Sequence, residues 1–215
     1  MNDKTRKEIL KGLEALYPDA GPELHFTNPY ETLVAVMLSA QCTDVQVNKV
    51  TPELFRKYPG VKEMAAADVA DVYAIVKSCG FKSKADHIVA ACQMMMERWE
   101  GQVPHTMEEL TQMPGVGRKT ANVVLSNAFG VPAIAVDTHV FRVSNRLGLA
   151  HATNVEDTEE QLRKLIPKKN WSHAHHWLIY HGRRVCHARK PDCGDCVLQN
   201  LCQYAAAQRD AREKE

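Results

Sequence analysis

The sequence predicts an all-α fold. Apolar residues recur at the helical period along most of the chain, and the segments they define end at glycines or before prolines. No run alternates long enough to make a secure strand, and no Asn-Gly or Asp-Gly hairpin signal occurs. The chain has 215 residues, enough for one large domain or two small ones with a sizeable core. Hydrophobic residues make up 45% and charged residues 25%, a globular balance that excludes wholesale disorder.

Each element has its own signal. Residues 1–14 are charged and lack the apolar core of a signal peptide. Residues 30–42 are nearly all apolar, which predicts a buried helix ending in polar residues. The longest strongly apolar run, 33–38, is far too short to span a bilayer, so a soluble cytoplasmic protein without a membrane partner is expected. Residues 68–79 are amphipathic and stop at Gly80, and a longer helix over 83–99 is closed by Gly101. Thr106 and Glu109 form a T-x-x-E capping box that opens a short helix, which stops before Pro114. The next helix runs over 118–129 to Gly130, with Pro132 just beyond. Asp137 or Thr138 caps a helix that reaches 147 and ends at Gly148, and 155–166 and 172–184 complete the set. The one strand candidate, 133–136, is too short to change the class, and no Gly/Ser- or Pro-rich linker marks a domain boundary.

Lys+Arg number 27 and Asp+Glu 26, for a formal net charge of +1. That total conceals an uneven distribution. Residues 161–191 contain no Asp or Glu but hold Arg163, Lys164, Lys168, Lys169, Arg183, Arg184, Arg189 and Lys190, with five histidines. A solvated charged face is the ordinary reading of a short charge run. An acid-free stretch this long favours a polyanionic partner.

Four of the seven cysteines cluster near the C-terminus. Cys186, Cys193, Cys196 and Cys202 are spaced C-x6-C-x2-C-x5-C. A structural zinc site usually uses two C-x2-C pairs, and here only Cys193 and Cys196 form one. The long outer spacings suit a loop around a bulkier [4Fe–4S] cube, although zinc, or four unligated core thiols, remain alternatives on spacing alone. Cys42, Cys79 and Cys92 lie on apolar helical faces, where free cysteine packs as a small hydrophobe.

Between the two central helices stands Met113-Pro114-Gly115-Val116-Gly117-Arg118-Lys119-Thr120. Gly115 and Gly117 allow positive φ and leave amides uncovered at a helix N-terminus, an arrangement that holds phosphate without a side chain. A plain helical turn would look the same. Lys119 falls in the first turn of the second helix, where the macrodipole disfavours its charge and so favours a nucleophilic amine. An exposed lysine contacting phosphate is the simpler alternative. Asp137 reads first as a helix cap and second as a carboxylate near an amine or a sugar; both can hold together.

These residues together resemble the endonuclease III family, iron–sulfur members of the helix-hairpin-helix DNA glycosylases. The resemblance is carried by Ser39-Ala40-Gln41-Cys42-Thr43-Asp44, by the Pro-Gly-Val-Gly-Arg-Lys segment continued to Asn122, by Val136-Asp137-Thr138-His139-Val140, and by the terminal cysteines, in the family's order. It implies two helical domains with a DNA cleft between them. One spans 21–131, with six helices and the hairpin at about 108–129. The other joins 1–20 to 132–215 and carries a [4Fe–4S] cluster on Cys186, Cys193, Cys196 and Cys202. The resemblance makes Lys119 the catalytic lysine and Asp137 the catalytic aspartate. It makes Gln41 the residue that fills the gap left by an extruded base. Phe81, after Gly80, stands where the family inserts an apolar wedge that is commonly leucine. His139 would contact the DNA backbone beside the active site. Arg118, with Gly115 and Gly117, belongs to the phosphate-binding hairpin, where a monovalent cation, Na or K, would bridge backbone carbonyls to a phosphate. Arg183, Arg184, Arg189 and Lys190 would face phosphates around the cluster loop.

The implied activity is base-excision repair. A DNA glycosylase with AP lyase activity would remove oxidised pyrimidines from double-stranded DNA and cleave at abasic sites. Its setting would be cytoplasmic, nucleoid-associated and bacterial or archaeal, and the protein monomeric. Lys119 argues against a monofunctional mismatch glycosylase. Lys119 with Asp137 argues against a non-catalytic DNA-binding module. The basic surroundings of the cysteines argue against a simple electron carrier.

Overall fold

The computed structural model describes residues 2–212. Every regular element among them is helical, and the chain forms two compact units. Pro22–Val131 makes one. The described residues up to Gly21 and from Pro132 onward make the other.

Pro22–Val131 is built around α2 (Pro29–Ser39). Asn28 caps α2 by accepting from the Glu31 amide at 2.9 Å, and Pro29 opens it with its φ already helical. Tyr30 and Thr32 to Leu38 are all buried, and α2 packs against α3 (Asp44–Lys57), α6 (Ser83–Arg98) and α8 (Arg118–Phe129). A helix apolar on every face has to sit inside its domain. Truncating Leu33 or Leu38, both 0% exposed, to alanine would cost about 2–5 kcal/mol. The helix stops at Ser39 rather than 42, because the backbone leaves the helical region at Ala40 and turns left-handed at Gln41.

Two helices here have weak sequence signals. In α3, capped by Thr43, the buried stripe is only Val47, Thr51 and Leu54, and Pro52 lies inside it. Single-turn α4 (Val61–Ala65) packs on α6. The stretch predicted as one helix over 68–79 is α5 (Val69–Val76), capped by Asp68, followed by a 3-10 turn at Lys77–Cys79. The α7 helix (Met107–Leu110) completes the unit with α8, which ends on left-handed Gly130.

In the second unit α9 (Thr138–Leu147) is central. It packs against α10 (Val155–Leu165), α11 (Trp171–Arg184) and α12 (Gln203–Arg212), and α1 (Asp3–Leu16) lies on α11. Ile9, Leu13, Val140, Val143, Leu162, Ala174 and Leu178 are fully buried between them. Residues 133–136 are buried but form no strand, nor does any other segment among the described residues. None of the described helices is long and apolar enough to cross a membrane.

Candidate functional site

The hairpin is assembled from its caps. Thr106 Oγ1 accepts from the Glu109 amide at 3.2 Å, so Thr106 caps the helix as predicted, and it donates to Glu109 Oε2 at 2.7 Å, so Glu109 reaches back to the cap hydroxyl rather than to its backbone N–H. Trp99 Nε1 donates to Glu109 Oε1 at 3.2 Å, tying α7 to the end of α6. Buried Met113 and Val116 then anchor a turn that leaves Gly115, Gly117, Arg118 and Lys119 exposed, with Pro114 half-buried. Gly115 has φ +74, and a Cβ there would lie 2.9 Å from the His87 Cβ on α6. Gly117 differs from the expectation. Its φ is −89, and a Cβ would meet nothing within 4 Å. What it contributes is an N-cap of α8 from which no side chain covers the helix amides. Lys119 extends from the first turn that those amides begin.

Gln41 and Phe81 stand on two loops held together. Lys84 Nζ donates to Leu38 O at 2.8 Å and to Cys79 O at 2.5 Å, and Gln46 Nε2 donates to Ser78 Oγ at 2.8 Å. Burial, together with the neighbouring Cys42 thiol, pushes the Cys79 thiol up to about 11. Gln41 has φ +56, a backbone that costs a non-glycine residue about 1–2 kcal/mol. Phe81 is 77% exposed, immediately after Gly80 at φ +127. An exposed phenylalanine and a strained glutamine on one braced platform sacrifice local stability, as contact residues do.

Asp137 caps α9, its Oδ1 accepting from the Val140 amide at 2.7 Å, and it is half-buried. Two residues on, the His139 Nδ1 lies 3.1 Å from Arg142 Nη2. Burial holds His139 below the ordinary imidazole range, aided by the Arg142 and Arg183 charges and opposed by Asp137. The ring fits because α11 presents Gly182, where a Cβ would lie 3.0 Å from the His139 Cβ.

Cys186, Cys193, Cys196 and Cys202 line one cavity together with His181. None forms a disulfide. Burial raises the Cys196 and Cys202 thiols, and the neighbouring cysteines add to the shift, so four thiolates here need a cation to neutralise them. The donor set is supplied with partners. Arg146 Nη1 lies 3.5 Å from Cys186 Sγ while holding His187 O at 2.7 Å, and its Nη2 holds Ala188 O at 3.0 Å. Arg142 Nε donates to Cys186 O at 3.1 Å, so two arginines one turn apart on α9 clamp the loop's entry. Neither arginine stands out in the sequence, although their i, i+4 spacing on a buried helix is a usable signal.

The basic stretch is less uniform than its composition. Arg163 lies 3.4 Å from Glu159 and stacks over Trp171, and Lys164 pairs with Glu160 at 2.5 Å, so α10 neutralises its own cations. Arg183, Arg184, Arg189 and Lys190 are exposed. The Arg184 guanidinium lies over the Tyr180 ring at 4.2 Å, and Lys190 has φ +50.

Residues 34–168 match the model of the HhH-GPD superfamily of base excision DNA repair proteins, and residues 186–202 match the iron-sulfur binding domain of endonuclease III. The chain is 50% identical over 202 residues to endonuclease III of Synechocystis sp., covering 93% of this chain and 92% of that protein. It is 48% identical over 205 residues to endonuclease III of Escherichia coli K12, covering 95% and 97%. The structure of a trapped endonuclease III–DNA covalent intermediate superposes with a TM-score of 0.93 at 44% identity, covering 97% of this chain and 99% of that one.

Proposed function

The chain belongs to the endonuclease III family of the HhH-GPD superfamily of base excision DNA repair proteins, and on that premise we propose that it excises oxidised pyrimidines through a Schiff base on Lys119. It is an enzyme, a DNA N-glycosylase and DNA-(apurinic or apyrimidinic site) lyase. The observation that carries the residue-level reading is the exposed Lys119 one residue inside a helix whose N-terminus no side chain caps.

In this reading the chain binds damaged duplex. The uncapped amides after Gly115 and Gly117 hold a backbone phosphate, with Arg118 beside them, and the turn would also take a monovalent cation. His139, Arg183, Arg184, Arg189 and Lys190 take further phosphates. Extruding the lesion costs a few kcal/mol, and Gln41 and Phe81 fill the space it leaves. Their exposure and shared bracing support that role.

Lys119, as the neutral amine, attacks C1′ and the glycosidic bond breaks, releasing the base. Asp137 takes the amine's proton or stabilises the developing cation on the sugar. The sugar ring opens to an iminium on Nζ, which acidifies the C2′ proton. Loss of that proton expels the 3′ phosphate by β-elimination, and water then releases Lys119. The covalent intermediate trapped with the similar protein supports this route.

Cys186, Cys193, Cys196 and Cys202, which line one cavity with Leu147 of α9 and His181 of α11, would hold a [4Fe–4S] cluster through their thiolates. Their shared cavity and the long outer spacings of the loop support that group. The enzyme acts as a cytoplasmic, nucleoid-associated monomer. Excision from a panel of lesion-bearing duplexes tests the substrate assignment: release of oxidised pyrimidines is expected, and release of only mismatched thymine or adenine would overturn it.

A further inference from the structure

A buried histidine beside the four clustered cysteines has no role in the reaction. His181 on α11 is 1% exposed. Its Nδ1 lies 3.1 Å from the Tyr17 hydroxyl, and its Nε2 lies 3.7 Å from Cys196 Sγ. The two ring nitrogens therefore link the end of α1 to one of the four clustered cysteines. We propose that Tyr17 fixes the tautomer of His181 so that Nε2–H donates to the Cys196 thiolate, and that this relay raises the reduction potential of the cluster.

The proton positions follow from the donor and acceptor inventory. An iron-bound cysteine sulfur is a thiolate and only accepts, so the nitrogen facing it must carry the proton. A neutral imidazole carries a single N–H, which leaves Nδ1 as an acceptor. Tyr17 supplies the matching donor. Its ring is held independently of the hydroxyl, edge-on to Tyr180 at 6.0 Å and beneath Arg184 at 5.8 Å. The hydroxyl is thus aimed by packing, and through it the histidine. A hydrogen bond to a ligating sulfur favours the state with more electron density on the cluster, so it raises the potential. Arg146, near Cys186, is fixed by its own carbonyl partners and acts separately. Tyr17 touches no sulfur and is a positioning residue that works only through His181.

The experiment measures the one-electron reduction potential of cluster-loaded protein, with iron, sulfide and helix content checked for each variant. Tyr17→Phe keeps the ring contacts and removes the hydroxyl. It is expected to shift the redox equilibrium by about threefold or more toward the oxidised cluster, where tenfold is ~59 mV. His181→Phe is expected to shift it at least as far, and adding Tyr17→Phe to that background should change nothing more. An unchanged potential in Tyr17→Phe, or an effect that persists without His181, overturns the relay. Should His181→Phe not load, the Fe–S(Cys) stretching frequencies of Tyr17→Phe decide, since a relay predicts a shift and a packing role none. The inference rests on the cluster reading: protein purified from cells without iron and sulfide overturns both, whereas loaded protein with unshifted potential and frequencies overturns the relay alone.

Discussion

The hairpin turn at Gly115 rests directly on His87: a methyl group at residue 115 would lie 2.9 Å from the His87 Cβ and 3.0 Å from its Nδ1. The two hairpin glycines therefore do different work. Gly115→Ala meets both a left-handed backbone and a steric wall and should destabilise the fold by about 1–3 kcal/mol. Gly117→Ala meets neither, so it should keep its melting temperature while a Cβ beside the amides of α8 weakens DNA affinity. Thermal melts and duplex titrations of the two variants check this, and equal loss of stability in both would contradict it.

Gln41 exchanges stability for placement. Gln41→Gly relieves the positive φ at the cost of a freer unfolded chain, so stability should stay level or rise by up to about 1 kcal/mol. Excision should fall, because Phe81 alone then fills the space left by extrusion. A denaturant titration beside single-turnover excision separates the two effects. A destabilised but fully active variant would count against this role.

Asp137 has a structural duty and a proposed chemical one, and substitution can divide them. Asparagine is as good an N-cap as aspartate, so Asp137→Asn should retain stability while slowing excision and strand cleavage. Asp137→Ala should lose the cap as well, costing about 1 kcal/mol. Wild-type cleavage by Asp137→Asn would remove the catalytic role.

Acid stability reports a half-buried histidine. Burial, with the His175, His173 and Arg183 charges, pushes His176 down to about 3. The unfolded chain binds that proton at about pH 6.5. Its contribution is therefore complete above about 6.5 and is lost as the pH falls from there toward 3. Melts between about pH 4 and 8 should show a steep acid limb that His176→Gln flattens. An unchanged limb would place the acid sensitivity elsewhere.

How much of the molecule is legible in its sequence depends on where each signal lies. The caps at Thr106 and Asp137 and the stops at Gly130 and Gly148 are local chemistry, and each forms where its residues stand. The C-terminal cysteine spacing is local too, but on its own it leaves zinc and unligated thiols open, and the match of residues 186–202 to an iron-sulfur binding domain decides for iron and sulfur. The α3 and α4 helices escape a sequence reading because one has a narrow stripe broken by Pro52 and the other is a single turn stabilised by packing on α6. The α12 helix gives only a weak signal, because its buried anchor is the small Ala205. Buried 133–136 is a strand candidate too short to settle from sequence, because a short apolar run looks alike in a strand and an extended crossing. Tyr17, Arg142, Arg146 and His181 gain their meaning from contacts with partners 15 to 164 residues away in sequence, which no local pattern reveals.

Borohydride trapping on abasic-site duplex tests the central claim most directly. Reduction of a Schiff base gives a stable protein–DNA adduct, and the account predicts one with the wild-type chain and none with Lys119→Ala, which should still bind the duplex. An adduct that forms equally well with Lys119→Ala, or none with the wild type under conditions that trap a family control, would contradict it.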